Sequence, residues 1–101
     1  MRMPLSIKVG PHVYQVLRKT AKELPDALGI CNFNSLEIWI RCRLRGSKAK
    51  EILLHEILHA TTHPSFNGEE KTDDESLVNA VAPVLLQVLQ DNPELVAYLT
   101  E

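Results

Sequence analysis

Glu51-Ile52-Leu53-Leu54-His55-Glu56-Ile57-Leu58-His59-Ala60 is the stretch around which the rest of this 101-residue chain organises. Ile52, Leu53, Ile57 and Leu58 recur at helical spacing, so the segment is expected to be an amphipathic helix. Gly46-Ser47 offers a stop and an N-cap before it, and His63-Pro64 a terminator after it, which predicts a helix from Lys48 to about Thr62. His55 and His59 are four residues apart, just over one turn, so both imidazoles project from the same side. At that separation two side chains can reach one ion lying about 2.0–2.1 Å from each nitrogen. Neutral imidazole suits Zn²⁺, whereas Mg²⁺ or Ca²⁺ would call for oxygen ligands. Glu56 lies about 100° round the helix from His55. It flanks such an ion without chelating alongside the histidines, and could accept a proton from a water that the ion acidifies.

Shuffling this composition would produce HExxH in roughly one chain in a hundred, so the helical context carries as much of the argument as the motif. The competing reading is two histidines and an ordinary glutamate on a solvated helix face. Two histidines also leave a zinc site incomplete, because a catalytic zinc normally takes three protein ligands. His63, Glu69, Glu70, Asp73, Asp74, Glu75 and Asn79 are the candidates for the third. His63 shares a face with His59 but stands about 12 Å along the axis from His55. It is better suited to the helix C-terminus, where a cation complements the dipole. A metzincin would need a histidine six residues after His59, and position 65 is Ser. Glu75 opens the next amphipathic helix, although it is also the N3 residue of a Thr72-Asp73-Asp74-Glu75 capping box and could simply close on Thr72. Spacing leaves Glu75, Asp74 and His63 open.

Upstream, the pattern reads as strands. Ile7–Val9, a Gly10-Pro11 turn and His12–Leu17 form a strand–turn–strand or one bent strand. Thr20–Leu28 is a polar loop with room for one helical turn. Gly29–Phe33 and Leu36–Leu44 form a hairpin around Asn34-Ser35, with Cys31 opposite Ile38 and Cys42 remote. Leu36, Ile38, Ile40, Cys42 and Leu44 alternate with Glu37, Trp39, Arg41 and Arg43, as in a sheet with one covered and one wet face. Downstream, a helix runs from the capping box to about Gln90, with a kink expected from Pro83. Asn92 then caps a short last helix with Pro93 at its first position.

Composition narrows the function classes. Apolar residues make up 45 %, enough for one domain with a core, spanning 1–101. The net charge of −2, from 11 basic and 13 acidic residues, carries no overall nucleic-acid or polybasic membrane signature. Ala80–Leu89 is too short to span a bilayer, and no long apolar stretch follows Met1-Arg2, so no signal peptide is expected. Two cysteines outside a CxxC spacing fit a reducing cytoplasm better than a disulfide framework.

The HEILH helix, the acidic pair that follows it, Gly29 before a hairpin, and Val88-Leu89-Gln90-Asp91-Asn92-Pro93-Glu94-Leu95 together resemble small gluzincin-like metallopeptidase domains. These are the minigluzincins and the short, often phage-encoded relatives of ImmA/IrrE-type peptidases. The resemblance spans roughly residues 5–99. It implies an α+β fold, with a three-stranded, mainly antiparallel sheet packed on the HExxH helix and a glutamate-bearing helix. It implies zinc held by His55, His59 and Glu75, with Glu56 as general base. It also implies that the Leu36–Leu44 strand forms a rim to which an extended peptide could add. Pro83 inside the glutamate helix and the lack of an assigned oxyanion stabiliser depart from that pattern; His12, Tyr14 and Tyr98 are the candidates for the latter role.

The expectation is a zinc-dependent endopeptidase acting on a peptide or protein substrate in the cytoplasm of a bacterial or phage-infected cell, latent or narrow in specificity. The alternative is a non-catalytic zinc-binding interaction module. Neither nucleic acid nor membrane is an expected partner.

Overall fold

The computed structural model describes residues 2–65 and 74–101, and for residues 63–65 and 74 the backbone alone. Four strands form one mixed sheet in the order β1-β2-β4-β3. Strands β1 (Ser6–Val9) and β2 (His12–Lys19) are an antiparallel hairpin. Its turn at Gly10-Pro11 uses a backbone φ of +59° at Gly10, which glycine adopts without steric cost. Residues 20–28 then cross to β3 (Gly29–Asn32), which pairs antiparallel with β4 (Glu37–Arg41) in the expected register, Cys31 opposite Ile38. Because the chain crosses before it turns, β4 inserts between β2 and β3 and runs parallel to β2, with Gln15 opposite Glu37.

The three-stranded, mainly antiparallel sheet of a minimal gluzincin fold is therefore corrected to a four-stranded mixed one. Gly10-Pro11 makes two strands where a single bent strand was an alternative, and the parallel β2–β4 pairing joins residues about twenty positions apart, which no local pattern reveals. The implied rim strand is corrected as well. Leu36–Leu44 supplies β4, which is paired on both sides, and the sheet edges are β1 and β3. Strand β4 also stops at Arg41, short of Leu44. Arg18 on β2 donates to the carbonyls of Arg41, Cys42 and Leu44 at 3.1, 3.1 and 2.7 Å and folds that segment into a turn.

One face of the sheet carries the core. Ile7, Val9, Tyr14, Val16, Ile38 and Ile40 are buried against helix α1 (Gly46–Ser65), helix α2 (Asp74–Asp91) and helix α3 (Pro93–Thr100). Helix α1 presents Ala49, Leu53, Ile57 and Ala60 to the sheet, all essentially inaccessible. Burying Leu53 or Ile57 contributes about 1.5–3 kcal/mol each. Helix α1 runs through the expected stop at His63-Pro64 to Ser65, and α2 continues through Pro83, which is exposed. Among the described residues, no helix is long and apolar enough to cross a membrane.

Helix α3 begins at Pro93 as expected, but Asn92 makes no side-chain cap. Its amide instead accepts from Lys8 N–H at 2.9 Å and donates to the carbonyls of Lys8 and Val88 at 2.9 and 2.7 Å. Gln87 Oε1 accepts from Gly10 N–H at 2.7 Å. Two side-chain amides from the helical half thus occupy backbone groups on the outer edge of β1, which blunts it.

Candidate metal centre

Helix α1 sorts its residues by side. Leu53, Glu56, Ile57 and Ala60 face the sheet, while Leu54, His55, Leu58 and His59 are exposed. The motif histidines come together as their spacing predicts. Their Nε2 atoms are 3.1 Å apart, with ring centroids at 4.8 Å and planes at 73°. A tetrahedral ion about 2.0–2.1 Å from each of two nitrogens separates them by about 3.3 Å. The pair therefore fits as two ligands of one zinc, with imidazole as the right donor chemistry. The same separation also suits a hydrogen bond from one imidazole to the other.

Glu56 lies on the inner side of this pair, 5 % exposed. Strand β3 passes directly over it. A Cβ on Gly29 would stand 3.1 Å from Glu56 Oε2 and 2.7 Å from Ile52 Cγ2, so a side chain here would crowd the carboxyl and displace Ile52. A glycine in a strand is the sequence signal for such an approach. Burial pushes the Glu56 carboxyl above the ordinary carboxylate range, and His55 and His59 pull it back down. The Cys31 thiol, on the same strand, is pushed up to about 12 by burial and by the Glu56 charge. Burial and Cys31 likewise raise the Tyr14 phenol. Burial is the larger cause of the shift in each of Tyr14, Cys31 and Glu56, with the charge of Glu56 felt by Cys31 and that of Cys31 by Tyr14. Sequence reasoning did not anticipate Cys31 or the closeness of Gly29, because neither belongs to the motif.

The remaining candidates divide. Glu75 and Asn79 lie on α2 and are exposed. Among the described residues, no group of three His, Cys, Asp or Glu side chains is gathered that could hold an ion. Glu69, Glu70, Asp73, the Thr72 cap and the side chains of His63 and Asp74 lie outside the described residues. His12 is exposed at the start of β2, and Tyr98 is a core residue with the Lys50 ammonium 5.6 Å from its ring centroid. Tyr14 is a core residue whose phenol is raised by burial and by Cys31.

The outer edge of β3 completes the site. Arg41 N–H donates to Leu28 O at 3.0 Å, so the alternation of an antiparallel pair turns the N–H and C=O of Ile30 toward β4 and those of Gly29 and Cys31 outward. Among the described residues, no strand covers that edge. Comparison with protein-family models, curated proteins and solved structures finds no match to this chain.

Proposed function

We propose that the protein is a zinc-dependent hydrolase of the HExxH type that cleaves a peptide bond. The observation that carries this reading is the pair of imidazole nitrogens 3.1 Å apart with a buried carboxyl beside them. His55 and His59 would hold the zinc, and Glu75 in the first turn of α2 is the third ligand that the resemblance implies. Zinc bound there would polarise a water and lower its pKa to about 7. Glu56 would take the proton from that water and hold it. A carboxyl raised by burial is a better proton acceptor than an exposed one, and its position under Gly29 limits the rotamers open to it. Gly29 and Cys31 would bind and orient an extended peptide as an added strand on the open β3 edge. The contrast between a blunted β1 edge and a β3 edge that no strand covers among the described residues supports this assignment.

The reading is tested by zinc analysis of the wild type, His59→Ala and Glu75→Ala, together with cleavage of a peptide library by the wild type and Glu56→Gln. About one zinc in the wild type, lost in both ligand variants, supports the ligand set. Full zinc affinity in Glu75→Ala rejects that residue and transfers the test to Asp74 and His63. Glu56→Gln should keep the metal and lose cleavage. If the wild type holds zinc yet cleaves nothing, the alternative of a non-catalytic zinc-binding interaction module takes its place. The 3.1 Å pair can also be satisfied by a hydrogen bond without metal, so a zinc-free wild type would reject both.

A further inference from the structure

Basic residues cluster at one end of the molecule, where, among the described residues, Lys48 and Lys50 are paired with Glu51 and Glu101 and the arginines of the turn are not. Five of the eleven basic residues are Arg41, Arg43, Arg45, Lys48 and Lys50, in the turn after β4 and the start of α1. Lys22, in the crossing loop, adds to them. Between loop and turn lies a cavity of about 580 Å³ lined by Thr20, Ala21, Lys22, Arg41, Cys42 and Arg43. It sits beyond the carboxyl ends of β2 and β4, the parallel pair, where connections diverge and α/β sheets take their ligands.

The cavity is built to be cationic. Among the described residues, three lining side chains are basic and none is acidic. The carbonyls that would repel an anion are already occupied: those of Arg41, Cys42 and Leu44 by Arg18, and those of Leu24 and Pro25 by Arg41 Nε and Nη2. These same bonds fix the Arg41 guanidinium; among the described residues its Nη1 has no acceptor, and Lys22 and Arg43 are paired with no acid. A lone carboxylate would offset one of three charges. A phosphate monoester carries about −1.5 to −2 at pH 7 and three acceptor oxygens, which suits a guanidinium fork together with an ammonium. The volume lies in the range of about 300–1,000 Å³ typical of small-molecule pockets and exceeds what one phosphate fills. The Ala21 and Cys42 side chains and the aliphatic stems of Lys22 and Arg43 would cover the carbon part.

We propose that the cavity between the 20–22 loop and the 41–43 turn binds a small phosphorylated molecule by its phosphate group. The proposal is independent of the metal reading.

The test is titration of the full chain with phenyl phosphate, followed by backbone-amide chemical shifts, with phthalate as a dicarboxylate of similar size and charge and a short DNA duplex as an extended polyanion. Saturable shifts at residues 20–22 and 41–43 are expected. Lys22→Glu combined with Arg43→Glu should weaken binding at least about tenfold with the melting temperature unchanged. Both side chains are exposed, so the fold does not depend on them. Absence of saturable shifts overturns the proposal. So do shifts at His55–His59 alone, equal binding of phthalate, or tighter binding of the duplex across 41–50.

Discussion

Gly29 and Glu56 are packed so closely that a single methyl group on the glycine would stand 3.1 Å from the glutamate Oε2. Strand β3 thereby acts as the roof over the carboxyl of the motif. Gly29→Ala should force Ile52 or Glu56 to move and destabilise the protein by about 1–3 kcal/mol. Urea unfolding with chelator present measures this apart from any metal effect. An unchanged midpoint would show that β3 is free to lift away from α1.

The burial that raises the Glu56 carboxyl makes stability depend on pH. A carboxyl raised in the folded state contributes stability that is complete below its unfolded value and is lost as pH rises through the folded one. Glutamine keeps the shape and never ionises. In zinc-free protein, Glu56→Gln should therefore match the wild type at low pH and become the more stable of the two towards neutrality. Melting temperatures across that range check the sign, and a variant less stable at neutral pH contradicts the burial argument.

Cys42 is exposed, whereas the Cys31 thiol is pushed up to about 12. Thiolate is the reactive form. A soluble alkylating reagent at mildly alkaline pH should modify Cys42 in the folded protein and reach Cys31 only on unfolding, as mass spectrometry of the labelled chain would reveal. By linkage, Cys31 contributes stability that is complete below its unfolded value of about 8.5 and disappears as pH rises through about 12. Rapid labelling of Cys31 in the native state would mean that β3 opens readily.

If His55 and His59 hold zinc, the ion stabilises the fold by mass action. At a free zinc concentration one hundred times the dissociation constant the gain is about 2.7 kcal/mol. Calorimetric melting with and without chelator should show this shift in the wild type and lose it in His59→Ala. An identical chelator effect in the variant would assign the metal to other residues.

Asn92 ties α2 and α3 to the β1 edge through Lys8 N–H and the carbonyls of Lys8 and Val88. Asn92→Ala should cost about 1–2 kcal/mol. Asn92→Asp keeps the acceptor but turns a carboxylate oxygen onto the Lys8 and Val88 carbonyls, so it should be no more stable than Asn92→Ala in thermal melting. Equal stability of all three would mean that solvent replaces these bonds without loss.

Much of the local structure was legible in the chain. The four-residue step from His55 to His59 follows from helical geometry alone, and the imidazoles meet because that geometry leaves them little choice. The turn at Gly10-Pro11, the β3–β4 register and the restart at Pro93 follow from residue types that each admit few backbone conformations. Asn92 shows where this stops. Its position announced a cap, yet its amide found a strand edge that the sequence places 84 residues away.

The sequence by itself determined a helix with two imidazoles on one side and a glutamate about 100° round from the first of them. Only the tertiary structure decided that β4 lies parallel to β2 inside a four-stranded sheet, that β3 and not β4 is a sheet edge, and that Gly29 packs against the carboxyl of Glu56. The physical reason is range. A helical period is enforced by hydrogen bonds four residues apart, so it can be read in any short window. Strand order, and the dielectric around a carboxyl, depend on which distant segments exclude water together, and that is settled only when the whole chain packs.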